Sequence, residues 1–362
     1  MCALRYPSRS CNHVALNILS SIYGAAAASR RRWYRRNPAH RRRLRCPVIS
    51  VGNLSVGGAG KTPLVASIAR LLVERGERPS ILSRGYGRRA PQDGVTVVSD
   101  GAAILAGVDS AGDEPLMLAR ALPGVPVLVG ADRYLSGRLA EQTLGAGVHL
   151  LDDGFQHVQL WRDVDLLVTG EQDLNDTPVP GGRLREPLPA AADADAALVD
   201  AGYAAEAERI GRALRLATVF RVERTLGPPR LIATGDTLVV PADEPVFAVA
   251  GIARPERFFT DLASVGWRVA GTMRFRDHHV FTDRDVARVA AAAHAAGATL
   301  VMTTEKDAVR LAARSFGALP AAAVPLIAAI EPAAPFADWL LDRLETARRN
   351  QHQNPAPGNP EP

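Results

Sequence analysis

The sequence lacks several features that would assign it to a protein class at once. Only 3 of its 362 residues are cysteines, all before residue 47 and none in a CxxC spacing, which excludes a disulfide scaffold and argues against a zinc site. No apolar run reaches the roughly 18 residues of a membrane-spanning helix, so a multi-span membrane protein is excluded. The apolar content of 47% and the charged content of 22% instead indicate a folded chain that is long enough for two compact domains.

Acidic residues are missing from the first 73 positions, and lysine is nearly missing from the whole chain. Residues 1–73 contain twelve arginines and Lys61, a charge of +13, so the other residues carry −8 of the net +5. A basic arm on an acidic body predicts an anionic partner such as a membrane surface or nucleic acid. Only Lys61 and Lys306 are lysines among 43 basic residues, which makes both candidates for chemistry that a guanidinium cannot perform.

The basic arm contains an apolar stretch at residues 14–28, followed by arginines, Trp33 and Tyr34. As a helix this stretch would be about 22 Å long, short of the roughly 30 Å hydrocarbon core. We predict a helix in the interface of an anionic leaflet, on the cytoplasmic side, where positive flanks stay. A signal peptide, a core-packed helix and a nucleic-acid arm are the alternatives, and the last lacks interleaved aromatics. We expect deletion of residues 1–36 to weaken membrane association while sparing the fold.

From residue 47 onward, short β-branched runs alternate with amphipathic helical patterns, which predicts a parallel sheet with helices on both faces. The candidate strands lie at 48–51, 80–83, 95–99, 125–129, 148–151 and 164–168, and near 246–250, 267–273, 299–303 and 325–329. The candidate helices lie at 62–75, 113–121 and 132–144, and near 255–264, 283–296, 306–315 and 335–347. The stretch 216–245 is expected to be a connection of irregular or antiparallel strands.

A glycine-rich loop follows the first of these strands. It leads from a hydrophobic strand into an amphipathic helix, which is the context of a phosphate-binding loop, or P-loop. We predict that Lys61 reaches the β and γ phosphate oxygens of a bound nucleotide and that the Thr62 hydroxyl binds Mg²⁺, while backbone N–H groups wrap the phosphates. The usual pattern has glycine at the position of Ser55. The predicted ATP-binding residues are Ser55, Val56, Gly57, Gly58, Ala59, Gly60, Lys61 and Thr62.

Two pairs of acids are candidates for metal binding or proton transfer. Asp152 and Asp153 end an apolar strand, as in a Walker B segment whose carboxylate holds Mg²⁺; exposed turn acids are the alternative. Asp113 and Glu114 precede Pro115 at the start of a helix, where they could cap it. Near a P-loop the same carboxylates could deprotonate an acceptor hydroxyl or bind the metal.

The arginines of SRGYGR and GGRLREP are flanked by glycines, which suits loops that close over phosphates. Asp277 and His278 could form a base and its orienting partner, although such neighbours are more often structural. Residues 303–307 are expected to form a strand end and a helix cap.

Together these segments resemble one family, the tetraacyldisaccharide 4'-kinases of lipid A biosynthesis. The motifs VGNLSVGGAGKTP, SRGYGR, GDEP, LLDDGFQH, GRLREP, FRDHH and TTEKD occur in the family's order over residues 48–307. The resemblance implies a P-loop kinase associated with the cytoplasmic face of the bacterial inner membrane. It would transfer the γ-phosphate of ATP to the 4'-hydroxyl of a tetraacyl glucosamine disaccharide 1-phosphate. The product would be the 1,4'-bisphosphorylated lipid A precursor.

The resemblance also implies roles for single residues. Asp113 matches the general base and His278 its partner, although His279 leaves open which imidazole pairs with the base. Lys61 matches the catalytic residue of the P-loop. The implied magnesium ligands are Thr62, Glu114 and Asp153. The further substrate or motif residues are Asp152, Arg84, Arg185 and Glu186.

The predicted fold is therefore α/β, with a P-loop NTPase-like parallel sheet core, a smaller second α/β domain and an N-terminal interfacial helix. The predicted domains are residues 1–46, 47–225 and 226–348, followed by a disordered tail at 349–362. One alternative function is a P-loop GTPase or ATPase accessory protein that acts on a protein partner. The guanine-selecting form would need an NKxD segment, which the sequence lacks. A membrane-tethered nucleotide sensor, which would bind ATP without transferring phosphate, is the other alternative.

Overall fold

The computed structural model describes residues 9–57, 60–90, 93–241 and 243–353. The helices are α1 (Arg9–Arg36), α2 (Lys61–Glu74), α3 (Val108–Ala111), α4 (Asp113–Ala121), α5 (Arg133–Thr143), α6 (Glu171–Leu174), α7 (Ala204–Leu214), α8 (Pro255–Ser264), α9 (Asp283–Ala295), α10 (Glu305–Leu311) and α11 (Ala333–Gln353). The strands are β1 (Val48–Gly52), β2 (Pro79–Ser83), β3 (Val95–Ser99), β4 (Val127–Gly130), β5 (Val148–Asp152), β6 (Val164–Thr169), β7 (Ala196–Asp200), β8 (Val219–Leu226), β9 (Arg230–Leu231), β10 (Pro245–Ala250), β11 (Arg268–Arg274), β12 (Leu300–Thr304), β13 (Ala321–Val324) and β14 (Leu326–Glu331).

Two units, each made of separate stretches of sequence, constitute the chain. The first unit comprises Met1–Lys61, Gly147–Glu223 and Ile330–Pro362, and the second comprises Thr62–Ala146 and Arg224–Ala329. The chain therefore leaves the first unit after Lys61 and returns to it at Gly147. The predicted arrangement of consecutive domains at 47–225 and 226–348 does not include this excursion.

The first unit is built on parallel strands in the order β8-β7-β6-β1-β5. All five residues of β1 are buried, because both faces of a parallel sheet are covered. Phe155, Leu167 and Ile210 belong to the apolar cluster of this unit. Since β1 and β5 are parallel, with Val51 beside Asp152, the loops that follow their carboxyl ends start next to each other.

The second unit contains β4, which pairs parallel with β2 and antiparallel with β3. It also contains a five-stranded sheet in the order β11-β10-β12-β13-β9, in which β9 alone is antiparallel to its neighbour. Val246 and Ala248 of β10 belong to one apolar cluster, and Phe247 and Val249 to another. This alternation of side chains along a strand places a core on each face of the sheet.

The α/β fold with a predominantly parallel sheet is confirmed, and three local expectations are wrong. Residues 219–226 form β8, which pairs parallel with β7 rather than belonging to an irregular or antiparallel connection. Helix α1 spans 28 residues, Arg9–Arg36, well beyond the apolar stretch 14–28. Helix α11 continues to Gln353, so residues 349–353 of the predicted tail are helical; residues 354–362 lie outside the described residues. Within the described ranges, no helix combines the length and hydropathy needed to cross a bilayer.

Candidate active site

The P-loop leaves β1 at Gly52 and enters α2 at Lys61. Gly52 has no room for a side chain, because a Cβ atom there would lie 2.5 Å from Cβ of Phe155. Only glycine therefore lets the loop that follows β5 approach the backbone at the end of β1 this closely. Both loops belong to the first unit, and they carry the first of two clusters of predicted site residues.

The segment that contains the GRLREP motif is hydrogen-bonded to the first half of the P-loop. The Val56 N–H donates to the Arg183 carbonyl at 2.7 Å, and the Arg185 N–H donates to the Leu54 carbonyl at 2.6 Å. Ser55, in the position usually held by glycine, is buried between these contacts. The backbone bonds fix where the Arg185 side chain begins.

The second half of the P-loop contains the expected glycine conformations. Gly57 and Gly60 have φ values of 98° and 68°, in the region that glycine adopts without strain. Thr62 is buried in the first turn of α2, where its hydroxyl is near the start of the helix. Gly58 and Ala59, also predicted to bind ATP, lie outside the described residues.

Lys61 is held by two side chains of the first unit. Its Nζ donates to Asn53 Oδ1 at 2.9 Å and lies 3.3 Å from Asp153 Oδ1. Asn53 also donates from Nδ2 to Ser55 Oγ at 3.0 Å, which orients the amide so that its oxygen faces the lysine. Asn53 and Asp153 therefore fix the position of the Lys61 ammonium in the P-loop.

Asp153 forms a bidentate ion pair with Arg185, with both N–O distances at 2.7 Å. Its backbone has φ 54°, a strained conformation for a residue with a side chain. Burial alone would raise the pKa of Asp153, but Arg185 and Lys61 outweigh it and hold that pKa well below its usual range. Asp152, the last residue of β5, is buried. The two neighbouring acids thus differ, and Asp153 is the one with a partly exposed carboxylate (39%).

Glu186 pairs with a residue of helix α1. Both oxygens of the buried Glu186 carboxylate accept hydrogen bonds from the guanidinium of Arg31, which is also buried. The same guanidinium donates to the Phe155 carbonyl at 2.7 Å and lies 4.1 Å from the centre of the Phe155 ring. Arg31 therefore connects the N-terminal helix to both motif loops of the first unit.

The second cluster lies entirely in the second unit and centres on Asp113, the first residue of α4. The N-cap of this helix is Gly112, with φ 86°, and no side chain caps the helix. The Asp113 carboxylate is therefore not used as a cap and makes its contacts elsewhere. Its Oδ2 atom lies 3.1 Å from His278 Nδ1 and accepts a hydrogen bond from Arg310 Nη2. Burial lowers the pKa of Arg310 to about 10, which leaves the guanidinium positively charged at neutral pH.

Glu114, next to Asp113, is paired with the second lysine of the chain. Lys306 Nζ lies 3.2 Å from Glu114 Oε1, 3.4 Å from Asp277 Oδ1 and 3.3 Å from His278 Nε2. The segment 303–307 does end a strand and cap a helix, since Thr304 accepts from the Asp307 N–H. The same helix also contributes Lys306 to this cluster.

The two adjacent histidines have different partners. His278, with φ 57°, faces Asp113 and Lys306. His279 Nε2 lies 3.0 Å from Asp285 Oδ2, and its ring stacks on Phe275 at 4.7 Å between centres. Of the two imidazoles, His278 is the one that the second unit places beside Asp113.

Arg84, a predicted substrate or motif residue, belongs to the second unit. It is exposed after β2, and among the described residues its side chain forms neither a hydrogen bond nor an ion pair. Conversely, Asn53 and Arg310 contact the predicted residues although the motifs did not single them out. Arg310 could have been found from its spacing, because it lies four residues after Lys306 and such pairs share one helix face. Asn53 gives no comparable signal.

Comparison with known proteins identifies the family of this chain. The family model described as "LpxK: Tetraacyldisaccharide-1-P 4'-kinase" matches residues 12–345. A tetraacyldisaccharide 4'-kinase of Syntrophus aciditrophicus is 37% identical over 354 residues, 91% of this chain and 92% of that protein. One of Geobacter metallireducens is 41% identical over 301 residues, 82% of this chain and 88% of that protein.

A solved structure agrees with the sequence comparisons. The crystal structure of the "apo" form of LpxK from Aquifex aeolicus in complex with ATP is 29% identical to this chain, with a TM-score of 0.75. It covers 92% of this chain and 99% of its own. The family match spans the P-loop, GDEP, DDGF and FRDHH segments alike, and the chain belongs to the LpxK family of tetraacyldisaccharide-1-P 4'-kinases.

Proposed function

We propose that the chain transfers the γ-phosphoryl group of ATP to the 4'-hydroxyl of a tetraacyl glucosamine disaccharide 1-phosphate at a membrane surface. The product is the 1,4'-bisphosphorylated lipid A precursor. The pairing of Asp113 with His278 at 3.1 Å is the observation that carries the proposal. A nucleotide sensor has no need of a carboxylate base, whereas transfer to a sugar hydroxyl does.

The residues of each cluster have their own proposed chemistry. Asp113 takes the proton of the acceptor hydroxyl, whose oxygen forms a bond to the γ-phosphorus while the bond to the β–γ bridging oxygen breaks and ADP leaves. The base acts late, because a sugar hydroxyl becomes acidic only as the new P–O bond forms. Lys61 and the N–H groups of the P-loop donate to oxygens whose negative charge shifts during transfer.

The residues predicted to bind Mg²⁺ suit a hard divalent cation, because Thr62, Glu114 and Asp153 offer oxygen ligands. Glu114 and Asp153 are each 39% exposed. Each carboxylate already contacts an ammonium: Glu114 lies 3.2 Å from Lys306 Nζ, and Asp153 lies 3.3 Å from Lys61 Nζ. The surroundings of both carboxylates therefore suit a positive charge. When bound, Mg²⁺ would neutralise charge on the phosphate oxygens.

The membrane surface enters the proposal through α1. Several large apolar side chains of this helix are exposed, among them Ile18 (56%) and Ile22 (62%). Exposed arginines follow them, as in helices that lie on anionic leaflets. A tetraacyl lipid does not leave the bilayer readily, since each buried CH₂ group is worth about 0.8 kcal/mol. An enzyme that docks at the cytoplasmic face of the inner membrane would not have to extract the lipid from the bilayer.

The test is transfer of labelled phosphate from ATP to a monophosphorylated tetraacyl disaccharide in mixed vesicles with Mg²⁺, followed by lipid extraction. We expect the labelled bisphosphate from the unaltered chain. Asp113→Asn should lower kcat about 100- to 10,000-fold and leave the affinity for ATP nearly unchanged, because the base acts on the acceptor.

Asp109→Asn is the matched control. This exposed acid lies four residues before Asp113 and pairs with Arg89, so its replacement should leave kcat unaltered. ATP binding without any lipid product would favour the nucleotide sensor, and a preference for GTP would favour the accessory protein. Unaltered kcat in Asp113→Asn would remove the base assignment.

A further inference from the structure

Lys306 is one of only two lysines among the 43 basic residues of the chain, and its ammonium lies among acceptors of the second unit. Nζ is 3.2 Å from Glu114 Oε1, 3.4 Å from Asp277 Oδ1 and 3.3 Å from His278 Nε2. An ammonium has three protons and no lone pair. Each of these three groups can therefore accept one hydrogen bond from Lys306.

The contact with Lys306 determines which nitrogen of His278 carries the proton. Because the ammonium can only donate, Nε2 must offer a lone pair. The proton of the neutral ring then resides on Nδ1, which lies 3.1 Å from Asp113 Oδ2, an atom that accepts when ionised. The remaining contact of Nε2, to Asp277 Oδ2 at 3.8 Å, is too long for a hydrogen bond.

Arg310 is a donor near Nδ1, but it lies farther from that nitrogen than the Asp113 carboxylate oxygen does, at 3.4 Å against 3.1 Å. Its Nη2 atom donates to Asp113 Oδ2 and lies 3.4 Å from His278 Nδ1. Asp113 Oδ2 thus accepts one hydrogen bond from the guanidinium and one from the imidazole. Among the described residues, the hydrogen bonds and ion pairs of Asp113 all involve Oδ2, which leaves Oδ1 for the acceptor hydroxyl.

We propose that Lys306 is a positioning residue that holds His278 in the Nδ1-protonated form, so that the ring donates to Asp113. The inference rests on the proposed role of Asp113 as the base. It also gives a reason for lysine at this position in a chain that otherwise uses arginine. A planar guanidinium with five donors cannot replace a compact ammonium among three converging acceptors.

The first test is direct and needs no activity. Protein labelled with ¹⁵N-histidine is examined by long-range ¹H–¹⁵N correlation NMR at a pH of about 8.5, two units above the reference pKa of a histidine. His278→Asn identifies the signals of this ring among the 8 histidines. We expect a protonated Nδ1 and an unprotonated Nε2. A wild-type ring protonated on Nε2 overturns the proposal without any Lys306 variant.

The Lys306→Met variant supplies the causal test in the same experiment. Loss of the donor should shift the His278 ring toward the Nε2-protonated form. His279 is an internal control, because it pairs with Asp285 and its signals should not change. An unchanged His278 tautomer in folded Lys306→Met would contradict the proposal.

Kinetic measurements distinguish a role of Lys306 in positioning His278 from a direct contact of Lys306 with phosphate. Lys306→Met should lower kcat about 10- to 100-fold with little change in the KM for ATP, and Lys306→Arg should not restore it. The double variant Lys306→Met/His278→Asn should be no slower than His278→Asn alone, because both act through one ring. Multiplied losses would show that Lys306 acts independently of His278 and would overturn the proposal.

Arg314→Met is the matched control. This cation follows the same helix and pairs with the exposed Asp283, so its loss should leave kcat unaltered. A wild-type protein that transfers no phosphate would instead contradict the proposed function, while the NMR result would still decide the tautomer.

Discussion

His278 and His279 are neighbours in the chain, and their backbone conformations and partners give them separate roles. The left-handed φ of His278, 57°, turns its ring toward Asp113, whereas His279 stacks on Phe275 and pairs with Asp285. Asp285 also accepts from the N–H and the hydroxyl of Thr282, which begins α9 in a capping box. The His279–Asp285 pair therefore stabilises the start of α9, the helix that follows the histidines.

Asp285 should make the stability of the protein depend on pH. Hydrogen bonds from the Thr282 N–H and hydroxyl, and from His279, lower the pKa of Asp285 to about 2. Its unfolded value is about 3.9. A carboxyl group with a lowered folded-state pKa stabilises the fold above the unfolded pKa, and this contribution is lost as pH falls toward the folded value.

We expect Asp285→Asn to lower the free energy of unfolding by about 1 kcal/mol near pH 6, the usual effect of losing a cap. The difference from wild type should shrink between pH 5 and about 3. Urea unfolding across this range measures it. Asp283→Asn is the control, because that acid is largely exposed (87%). A difference that stays constant as pH falls would contradict the assigned pKa.

Sequence alone proposes site residues that stand in contiguous motifs, but it did not single out Asn53 or Arg310, which contact those residues. Lys61 and Thr62 follow from a glycine-rich loop between a strand and a helix, since that pattern has a local cause. The spacing of Arg310 from Lys306 places both on one helix face, but Arg310 contacts Asp113 across 197 positions, and that partner could be identified only from the fold. The scarcity of lysine pointed to Lys306, but its partners required the fold.

At the scale of the element, α1 has two faces with different surroundings. One face is apolar and exposed, as the interfacial prediction requires. The other is packed within the first unit: Ser20 Oγ accepts from the Gly181 N–H at 2.8 Å, and a Cβ atom on Gly24 would lie 3.0 Å from Pro178. With Arg31 buried against Glu186, the expectation that residues 1–36 can be deleted without harm to the fold is incompatible with these contacts.

Arg31→Met should destabilise the protein by about 3–5 kcal/mol, because it leaves the buried Glu186 carboxylate without its partner. Arg32→Met, at the exposed neighbouring position, should change the free energy of unfolding by less than about 0.5 kcal/mol. Chemical denaturation of the full chain measures both. The double variant Arg31→Met/Glu186→Gln should recover part of the loss, since the buried charge is gone. Equal stability of Arg31→Met and Arg32→Met would refute the structural role of the pair.

Strand β8 shows why element types were easier to predict than their pairing. Its residues alternate in burial until the strand leaves the core, which is also the pattern of an antiparallel strand. The glycines and prolines that follow it suggested a connection. One neighbour of β8 is β7, with Leu198 beside Phe220, and this pairing depends on the α7 crossover between the two strands.

At the scale of the whole molecule, charge is distributed unevenly along the chain. The first 73 residues carry +13 without a single acid, and the remaining residues carry −8 of the net +5. Some of the arginines are already neutralised by the first unit, as Arg31 and Arg35 are by Glu186 and Asp193. Exposed arginines of α1, such as Arg32 and Arg36, can be attracted to an anionic surface, which is worth about 1 kcal/mol for each nearby basic residue.

Apolar insertion and charge attraction should both contribute to binding of the full chain to anionic vesicles. Replacing Ile22, 62% exposed on α1, by aspartate should weaken partitioning into phosphatidylglycerol-containing vesicles about 10- to 100-fold. That range corresponds to losing the burial of one large aliphatic side chain, about 1.5–3 kcal/mol. Val239→Asp is the matched control, because Val239 is exposed (91%) in the second unit and should not affect partitioning. Binding of the unaltered chain should also fall as salt rises, since screening shortens the reach of the arginines. Equal partitioning of the two variants in vesicle sedimentation would mean that α1 does not insert, and the enzyme would then have to meet its lipid acceptor through another surface.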